Sequence, residues 1–301
     1  MAPASVVQGC ASGGAIQFGG ADIHVSFDAK EFVFGAGPIC GWIMRAAVAV
    51  GGYFGRYPVN TVRIVIKPVS GAGVRGGKTY GGADGGPLIV IPLGRETRQA
   101  QLDDDWVMTH EMVHLAVPSV PDDSEWLEEG IATYVEPIAR AQQGQLSDQR
   151  VWGDMFRDMP QGLPQSGDRG LDRTPTWGRI YWGGALFCLL ADVGIRSRTN
   201  NHFGLRDALR GVLVADGDIR EDWPVSRVLA AGDQAVGVPV LTELYRRMKD
   251  APGPGRAELD ALWQRLGVEA DDSGVRFVAD APLAGIREAI TARDKAASTA
   301  R

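Results

Sequence analysis

Two short segments decide the fold, Thr109-His-Glu-Met-Val-His114 and, a few residues further on, Trp126-Leu-Glu-Glu-Gly-Ile-Ala-Thr-Tyr134. The first segment carries two histidines four residues apart, a spacing that puts both on one face of an α-helix. Both imidazoles can then bind one metal ion, while Glu111 lies beside the open coordination position. Because two of the four histidines in the chain fall at this spacing around a glutamate, the pattern predicts a metal-binding helix.

The second segment supplies the further ligand that such a site requires. A catalytic zinc ion is held by three protein ligands and a water molecule. Glu129 follows His114 by fifteen residues, with Glu128 beside it, and a hairpin of two helices can return either carboxylate toward the first helix. One residue corresponds to about 100° of rotation around a helix, so only one of the two glutamates can face the ion. The residues alone leave both candidates open.

The two segments together resemble a known group of enzymes. His-Glu-x-x-His followed by Trp-Leu-x-Glu-Gly-x-Ala is similar to the gluzincin metallopeptidases, in particular the aminopeptidase-N and glycyl aminopeptidase families. In that pattern the glutamate directly before glycine binds the metal. The resemblance, which covers roughly residues 60 to 195, implies one Zn²⁺ ion held by His110, His114 and Glu129, with Glu111 as the base that activates a water molecule. It also implies a peptide substrate.

A glycine-rich segment upstream extends the resemblance. Gly81 to Ile89 lies where the family has Gly-x-Met-Glu-Asn before an exposed edge strand, and such a strand can pair with an extended peptide. The resemblance implies substrate binding by Gly82, Ala83 and Asp84. Asp84 replaces the family's glutamate, and the methionine and asparagine are missing. A glycine-rich hairpin with no catalytic part is an equally good interpretation.

A tyrosine downstream is the last element of the resemblance. Tyr181-Trp-Gly-Gly-Ala-Leu is similar to the family's Tyr-x-x-Gly-Ala-Leu at the start of a helix. The family's tyrosine donates a hydrogen bond to the oxyanion, and the resemblance implies this role for Tyr181. The alternative is a tyrosine that packs with Trp177 and Trp182. Thr133, one helical turn after Glu129, is a candidate for orienting a ligand or is an ordinary helix residue.

The pattern along the chain predicts an α+β protein. The resemblance to the gluzincins implies, more specifically, a thermolysin-like zincin catalytic domain, with a small mixed β-sheet and the His-Glu-x-x-His helix, followed by a mainly helical C-terminal part. We expect a β-rich part at residues 1–100, a zinc-binding helical part at 101–196 and a helical part at 197–301. Among the individual elements, we expect a strand that Pro68 stops, a helix from the acidic run at 103–105 to about Val117, and a long ordered loop at 143–178.

Composition excludes several classes of function. The net charge of −6 argues against a nucleic-acid partner, which would require a basic face. No stretch reaches the roughly 18 to 20 apolar residues of a transmembrane helix. Cys10 and Cys40 form a disulfide if the protein is exported, or are buried free thiols. If a signal peptide was trimmed, a bacterial periplasmic or secreted location is favoured over the cytoplasm.

The function expected from the sequence is therefore that of a zinc peptidase acting, like an aminopeptidase, on short peptides. One alternative is a zinc endopeptidase that cleaves proteins or longer peptides. A second is a catalytically silent relative whose groove binds a peptide without cleaving it, and a third is a helical structural protein without metal. Glu111 argues against the silent relative, because a protein that only binds peptides needs no base beside the metal.

Overall fold

The computed structural model describes Cys10 and residues 15–82, 85–272 and 274–293. The chain forms two compact units. One contains the residues through Ser119 and the segment Gly217–Asp222, and the other contains Val120–Asp216 and the residues from Trp223 onward. The helix that carries His110 and His114 belongs to the first of these units, which also contains the larger β-sheet, because it packs against the long helix and the strands of that unit.

The first unit is built around one small mixed sheet. Its strand order is β1-β2-β3-β5-β4, with β2, β3 and β5 parallel and with β1 and β4 antiparallel at the two edges. A small mixed sheet combined with helices is what the sequence predicted. The elements are β1 (Ala15–Phe18), β2 (Ala21–Ser26), α1 (Ala36–Phe54), β3 (Thr61–Val69), β4 (Lys78–Tyr80), β5 (Leu88–Gly94), α2 (Gln99–Asp103) and α3 (Val107–His114).

The strands of this unit alternate between buried and exposed side chains. Val62, Ile64 and Ile66 of β3 are buried, and the residues between them are more exposed. This period of two buries one face of the sheet and leaves the other largely polar. A disulfide joins Cys10 to Cys40 of α1, with their Cα atoms 5.9 Å apart. Of the two states that the sequence left open for these cysteines, the structure has the bridge.

The expectation that Pro68 stops the third strand was wrong. β3 continues through Pro68 to Val69, paired with β5 along its length. Its pairing with β2 ends at Val65. The backbone groups of successive residues in β3 point alternately toward β5 and toward β2, and the nitrogen of Pro68 faces the side of β2. It lies beyond Val65, the last residue of β3 that pairs with β2. Proline therefore removes no hydrogen bond from the sheet at this position.

The helix α3 is shorter than the sequence predicted. It begins at Val107 and ends at His114, three residues before the expected end at Val117. Of the three acidic residues before it, Asp105 orients its first turn. The Asp105 carboxylate accepts hydrogen bonds from the backbone N–H of Met108, at 3.1 Å, and from the indole N–H of Trp42 on α1, at 2.9 Å.

The second unit is mainly helical. The described part of this unit also contains a two-stranded antiparallel hairpin. Its elements are α4 (Glu125–Gln142), α5 (Asp148–Asp158), a π-helical turn (Arg179–Gly183), α6 (Gly184–Arg198), α7 (Leu205–Val214), α8 (Val225–Val236), α9 (Val240–Met248), α10 (Arg256–Leu266), β6 (Val268–Asp271), β7 (Gly274–Phe277) and α11 (Ala284–Thr291).

The prediction of a long ordered loop at residues 143–178 was wrong, because the helix α5 lies within this range. The Ser147 hydroxyl caps this helix by accepting a hydrogen bond from the backbone N–H of Arg150. Val151, Trp152 and Met155 then recur at helical spacing and are buried. The polar and glycine residues around them hid this short apolar stripe from the sequence analysis.

Across the described ranges, no helix combines the length and the apolar character that crossing a bilayer requires.

Candidate metal centre

The helix α3 presents both histidines of the motif from one face. His110 and His114 are buried, and their ring centroids lie 5.0 Å apart in an edge-to-face arrangement. Trp106, which is half exposed, packs the edge of its ring against His110 at 5.2 Å. Since four residues make slightly more than one helical turn, the close approach of the two rings follows directly from their spacing.

The side chain of Glu111, a residue of α3, lies between this helix and the edge strand β4. Its carboxylate Oε2 is 2.6 Å from the hydroxyl oxygen of Thr79 on β4, which donates a hydrogen bond to it. Gly77, the residue before β4, also lies close to the Glu111 side chain. A Cβ added at Gly77 would come within 2.6 Å of Glu111 Cγ and 2.8 Å of Oε1. Only a residue without a side chain lets the strand approach this carboxylate so closely.

Glu129 is on α4, where the helix makes an unusually close contact with α6. A Cβ on Gly130 would lie 2.4 Å from the backbone of Gly184, and one on Gly184 would lie 2.1 Å from the carbonyl oxygen of Trp126. Two glycines thus allow the two backbones to touch. The contact involves residues on both sides of Glu129, Trp126 and Gly130, and so restrains the backbone that carries its carboxylate.

The neighbouring Glu128 has a different role. Its carboxylate accepts a hydrogen bond of 2.6 Å from the backbone N–H of Val120, in the loop that leads into α4. Burial raises the pKa of the Glu128 carboxyl to about 7, against the opposing effect of this hydrogen bond. Glu128 therefore holds the loop before α4 through this hydrogen bond. Of the two glutamates, Glu129 is the one that belongs to the group of potential metal ligands.

Among the residues that the structure describes, His110, His114 and Glu129 form a group that could hold a metal ion. Each offers one ligand atom, and these atoms all lie within 4.8 Å of one another. Tetrahedral ligands at about 2.0 to 2.1 Å from zinc lie about 3.4 Å apart, a spacing below that upper bound. Two imidazoles and one carboxylate are also a donor set of the catalytic zinc type.

Tyr181 lies in the π-helical turn Arg179–Gly183, which packs against α4. Its ring stacks on that of Trp177, at 5.5 Å between centroids. The buried guanidinium of Arg179 secures the turn through an ion pair with Asp168 at 2.8 Å and a hydrogen bond to the carbonyl of Gly162. Single π-helical turns inside helices are frequent at functional sites. The contact with Trp177 is the packing that the sequence offered as the alternative.

The start of α4 is held by a second polar cluster. Asp172 accepts hydrogen bonds of 2.7 Å from the indole N–H of Trp126 and from the hydroxyl of Tyr245. The ring of Trp126 also packs against Phe187 of α6, at 5.1 Å. The tryptophan of the Trp-Leu-Glu-Glu-Gly segment therefore fixes the helix three residues before Glu129. Nothing in the sequence pairs Trp126 with an aspartate that lies 46 residues away.

The glycine-rich segment differs from the expectation. Ala83 and Asp84 lie outside the described residues, and Gly82 makes a tight turn with φ +71°. We expected an exposed edge strand after this segment, but that strand is β5, which pairs on both sides. The sheet edge is instead β4, before the glycines. The strand β4 could not be predicted from the sequence, because three residues are too few to show an alternating pattern. Thr79, which lies on this strand, was therefore not among the expected site residues.

Comparisons with known proteins bear on the fold. No protein-family model matches the chain, and no curated protein matches it. An aminopeptidase N family protein from Idiomarina loihiensis has a similar structure, with a TM-score of 0.56 at 12% sequence identity, over 87% of this chain and 51% of the other. An M1 zinc metallopeptidase from Deinococcus radiodurans gives a TM-score of 0.48 at 17% identity, over 80% of this chain and 52% of the other.

The chain thus spans about half the length of these two structures. Its likeness to the aminopeptidase N family protein shows a shared fold, which agrees with the resemblance that the sequence motifs indicated.

Proposed function

We propose that this chain, which has the fold of an aminopeptidase N family protein, is a zinc-dependent peptidase that hydrolyses peptide bonds. The observation that supports this most directly is the group of His110, His114 and Glu129, whose ligand atoms lie within 4.8 Å of one another. The base that hydrolysis requires, Glu111, is part of the same helix. In this proposal the His-Glu-x-x-His helix has the thermolysin-like arrangement that the sequence implied.

Each residue has a separate role in the proposed mechanism. His110, His114 and Glu129 would hold the ion, and zinc when bound supplies a Lewis acid that lowers the pKa of a water molecule toward about 7 and polarises a carbonyl group. Glu111 accepts a proton from the attacking water and then delivers it to the leaving amine. Tyr181 donates a hydrogen bond to the oxygen on which negative charge develops.

The free edge of the sheet supports a peptide as the substrate. β4 is the last strand of the sheet in the described part of the chain, so no strand of the described residues pairs with its outer side. An extended peptide can add to such an edge by backbone hydrogen bonds. β4 also carries Thr79, the hydrogen-bond partner of Glu111, so a peptide paired with this strand would lie near the proposed base.

An aminopeptidase-like specificity is the finer part of the proposal. It depends on the resemblance of Gly82, Ala83 and Asp84 to a motif in which an acidic side chain binds the free amine of the substrate. The shorter side chain of Asp84 and the missing asparagine leave endopeptidase activity as the second outcome. The two differ chemically, because only an aminopeptidase requires a charged N-terminus on its substrate.

A single set of measurements tests the proposal. We expect the purified protein to contain one zinc ion per chain and to hydrolyse aminoacyl amides, with activity that a chelator removes and zinc restores. Glu111→Gln should keep the zinc and lower turnover by about 10² to 10⁴-fold. Cleavage of free but not N-acetylated peptides would establish the aminopeptidase. Cleavage of both would establish the endopeptidase, and zinc binding with no cleavage would leave only a peptide-binding relative.

The compartment is a further part of the proposal. The Cys10–Cys40 bridge supports an oxidising location, such as the bacterial periplasm or the exterior of the cell, since disulfides are rare in the cytosol. Alkylation of free thiols in protein taken directly from its native cells would check this. We expect only the buried Cys188 to be labelled, and only after unfolding.

A further inference from the structure

We propose that Thr79 is a positioning residue that holds the Glu111 carboxylate in the orientation needed to accept a proton. The inference rests on the proposed function, because it assumes that Glu111 is the base. It goes beyond that function by assigning a role to a residue of the sheet edge, 32 positions away from Glu111 and outside every motif that the sequence displays.

The hydroxyl of Thr79 has two acceptors on the same glutamate. Its oxygen is 2.6 Å from Oε2 of Glu111 and 2.9 Å from the backbone carbonyl oxygen of Glu111. A hydroxyl donates one hydrogen and accepts through two lone pairs. Of the two acceptors, the carboxylate is the charged one, so Thr79 donates its hydrogen to Oε2 of Glu111 in a charge-assisted hydrogen bond.

The same geometry accommodates the proton that Glu111 receives. Once the water proton is on the Glu111 carboxyl, the Thr79 hydroxyl can turn its hydrogen to the backbone carbonyl and accept a hydrogen bond from the new O–H group. The single hydrogen bond that the Thr79 hydroxyl donates to Glu111 is thereby replaced by two, one donated and one accepted by that hydroxyl, so the contact survives proton transfer. Thr79 therefore supports the side chain before and after proton transfer without a movement of heavy atoms.

Gly77 is in close contact with the same carboxylate. A Cβ there would lie 2.8 Å from both Glu111 Cδ and Oε1, well inside van der Waals contact. The Glu111 side chain therefore contacts the backbone at Gly77 as well as the hydroxyl of Thr79. Because these two residues lie two positions apart on one segment, the same stretch of backbone restrains the proposed base at both points.

The backbone of Thr79 is fixed by the sheet. Thr79 pairs with Ile89 of β5, which is completely buried, so the hydroxyl projects from an ordered strand and not from a loop. A hydrogen-bond donor on such a rigid element holds its acceptor more accurately than one on a mobile segment. The restraint acts on the orientation of Glu111 and leaves the metal ligands unchanged.

The test compares three variants in the zinc-loaded protein. Thr79→Val removes the hydroxyl and keeps the shape, and we expect kcat to fall by about 10 to 100-fold, with KM and zinc content within twofold of wild type. Thr79→Ser keeps the hydroxyl and should retain kcat within about threefold. Thr61→Val changes an exposed threonine in β3, which β5 separates from β4, and should match wild type. An unchanged kcat in Thr79→Val, or a loss that serine does not rescue, would overturn the role.

A structural measurement separates this inference from the proposed function. Crystal structures of metal-free wild type and Thr79→Val should show the Glu111 carboxylate in one position in the first and in two or more in the second. If wild type lacks zinc-dependent hydrolysis, the proposed function fails, and the structures still decide whether Thr79 orients Glu111. The same single position of the carboxylate in both proteins would refute the positioning by Thr79, whatever the activity.

Discussion

Replacing Gly130 by alanine should destabilise the second unit, although alanine is the better helix former. An alanine Cβ at this position would lie 2.4 Å from the Cα and carbonyl carbon of Gly184. Ordinary contact between such atoms begins at about 3.4 Å, so α4 and α6 have to separate by about 1 Å. The obstacle is backbone, which cannot rotate away as a side chain can.

Two opposing free energies set the size of the effect. Alanine in place of glycine in a helix interior contributes about 1 kcal/mol of stability. Overpacking of a tight contact costs about 1 to 3 kcal/mol, and backbone against backbone belongs at the upper end. We therefore expect the free energy of unfolding to fall by about 2 kcal/mol in Gly130→Ala.

A matched variant isolates the cause. Gly153 lies inside α5 of the same unit, and a Cβ there would meet only the side chain of Val275, at 3.8 Å. Gly153→Ala should gain the helix propensity without the clash, and so raise the free energy of unfolding by about 0.5 to 1 kcal/mol. Urea unfolding followed by circular dichroism measures both variants under the same conditions.

The same substitution should also weaken zinc binding. Glu129 precedes Gly130, and a displacement of about 1 Å exceeds the roughly 0.2 Å within which ligand distances vary in metal sites. We expect the dissociation constant for zinc to rise at least tenfold in Gly130→Ala and to stay within twofold in Gly153→Ala. If Gly130→Ala proved as stable as Gly153→Ala, the close contact of the two helices would not limit this position, and the reasoning would be wrong.

Three further predictions concern the site and the disulfide. Glu129→Ala should lose zinc binding by at least 100-fold, whereas Glu128→Ala should keep it and lose only stability; equal zinc loss in both would contradict the assignment of the ligand. Tyr181→Phe should lower kcat by about 100-fold with zinc content unchanged, and an unaltered kcat would remove the tyrosine from the mechanism. Replacing Cys10 and Cys40 by serine should lower the free energy of unfolding by about 3 to 4 kcal/mol, as expected for a separation of 30 residues, and a urea midpoint insensitive to reductant would refute the bridge.

Local patterns in the sequence were sufficient for several features. The spacing of His110 and His114 predicts two imidazoles on one helical face, because a helix repeats every 3.6 residues whatever surrounds it. The β-branched residues of β3 likewise predict a strand with one buried face. The presence of strands in the first part and of helices in the second followed from such patterns, since an individual strand or helix depends on neighbours within about ten residues.

Other features were decided by tertiary structure alone. The partner of Glu111 is Thr79, and only the register of a three-residue strand against β5 brings the two together. The choice between Glu128 and Glu129 depends on how α4 is rotated, and this rotation is restrained by its glycine contact with α6. Such relations join residues far apart in the chain through backbone packing. The sequence by itself thus determined which groups are able to bind a metal and move a proton, and the packing of backbones decided which of them meet.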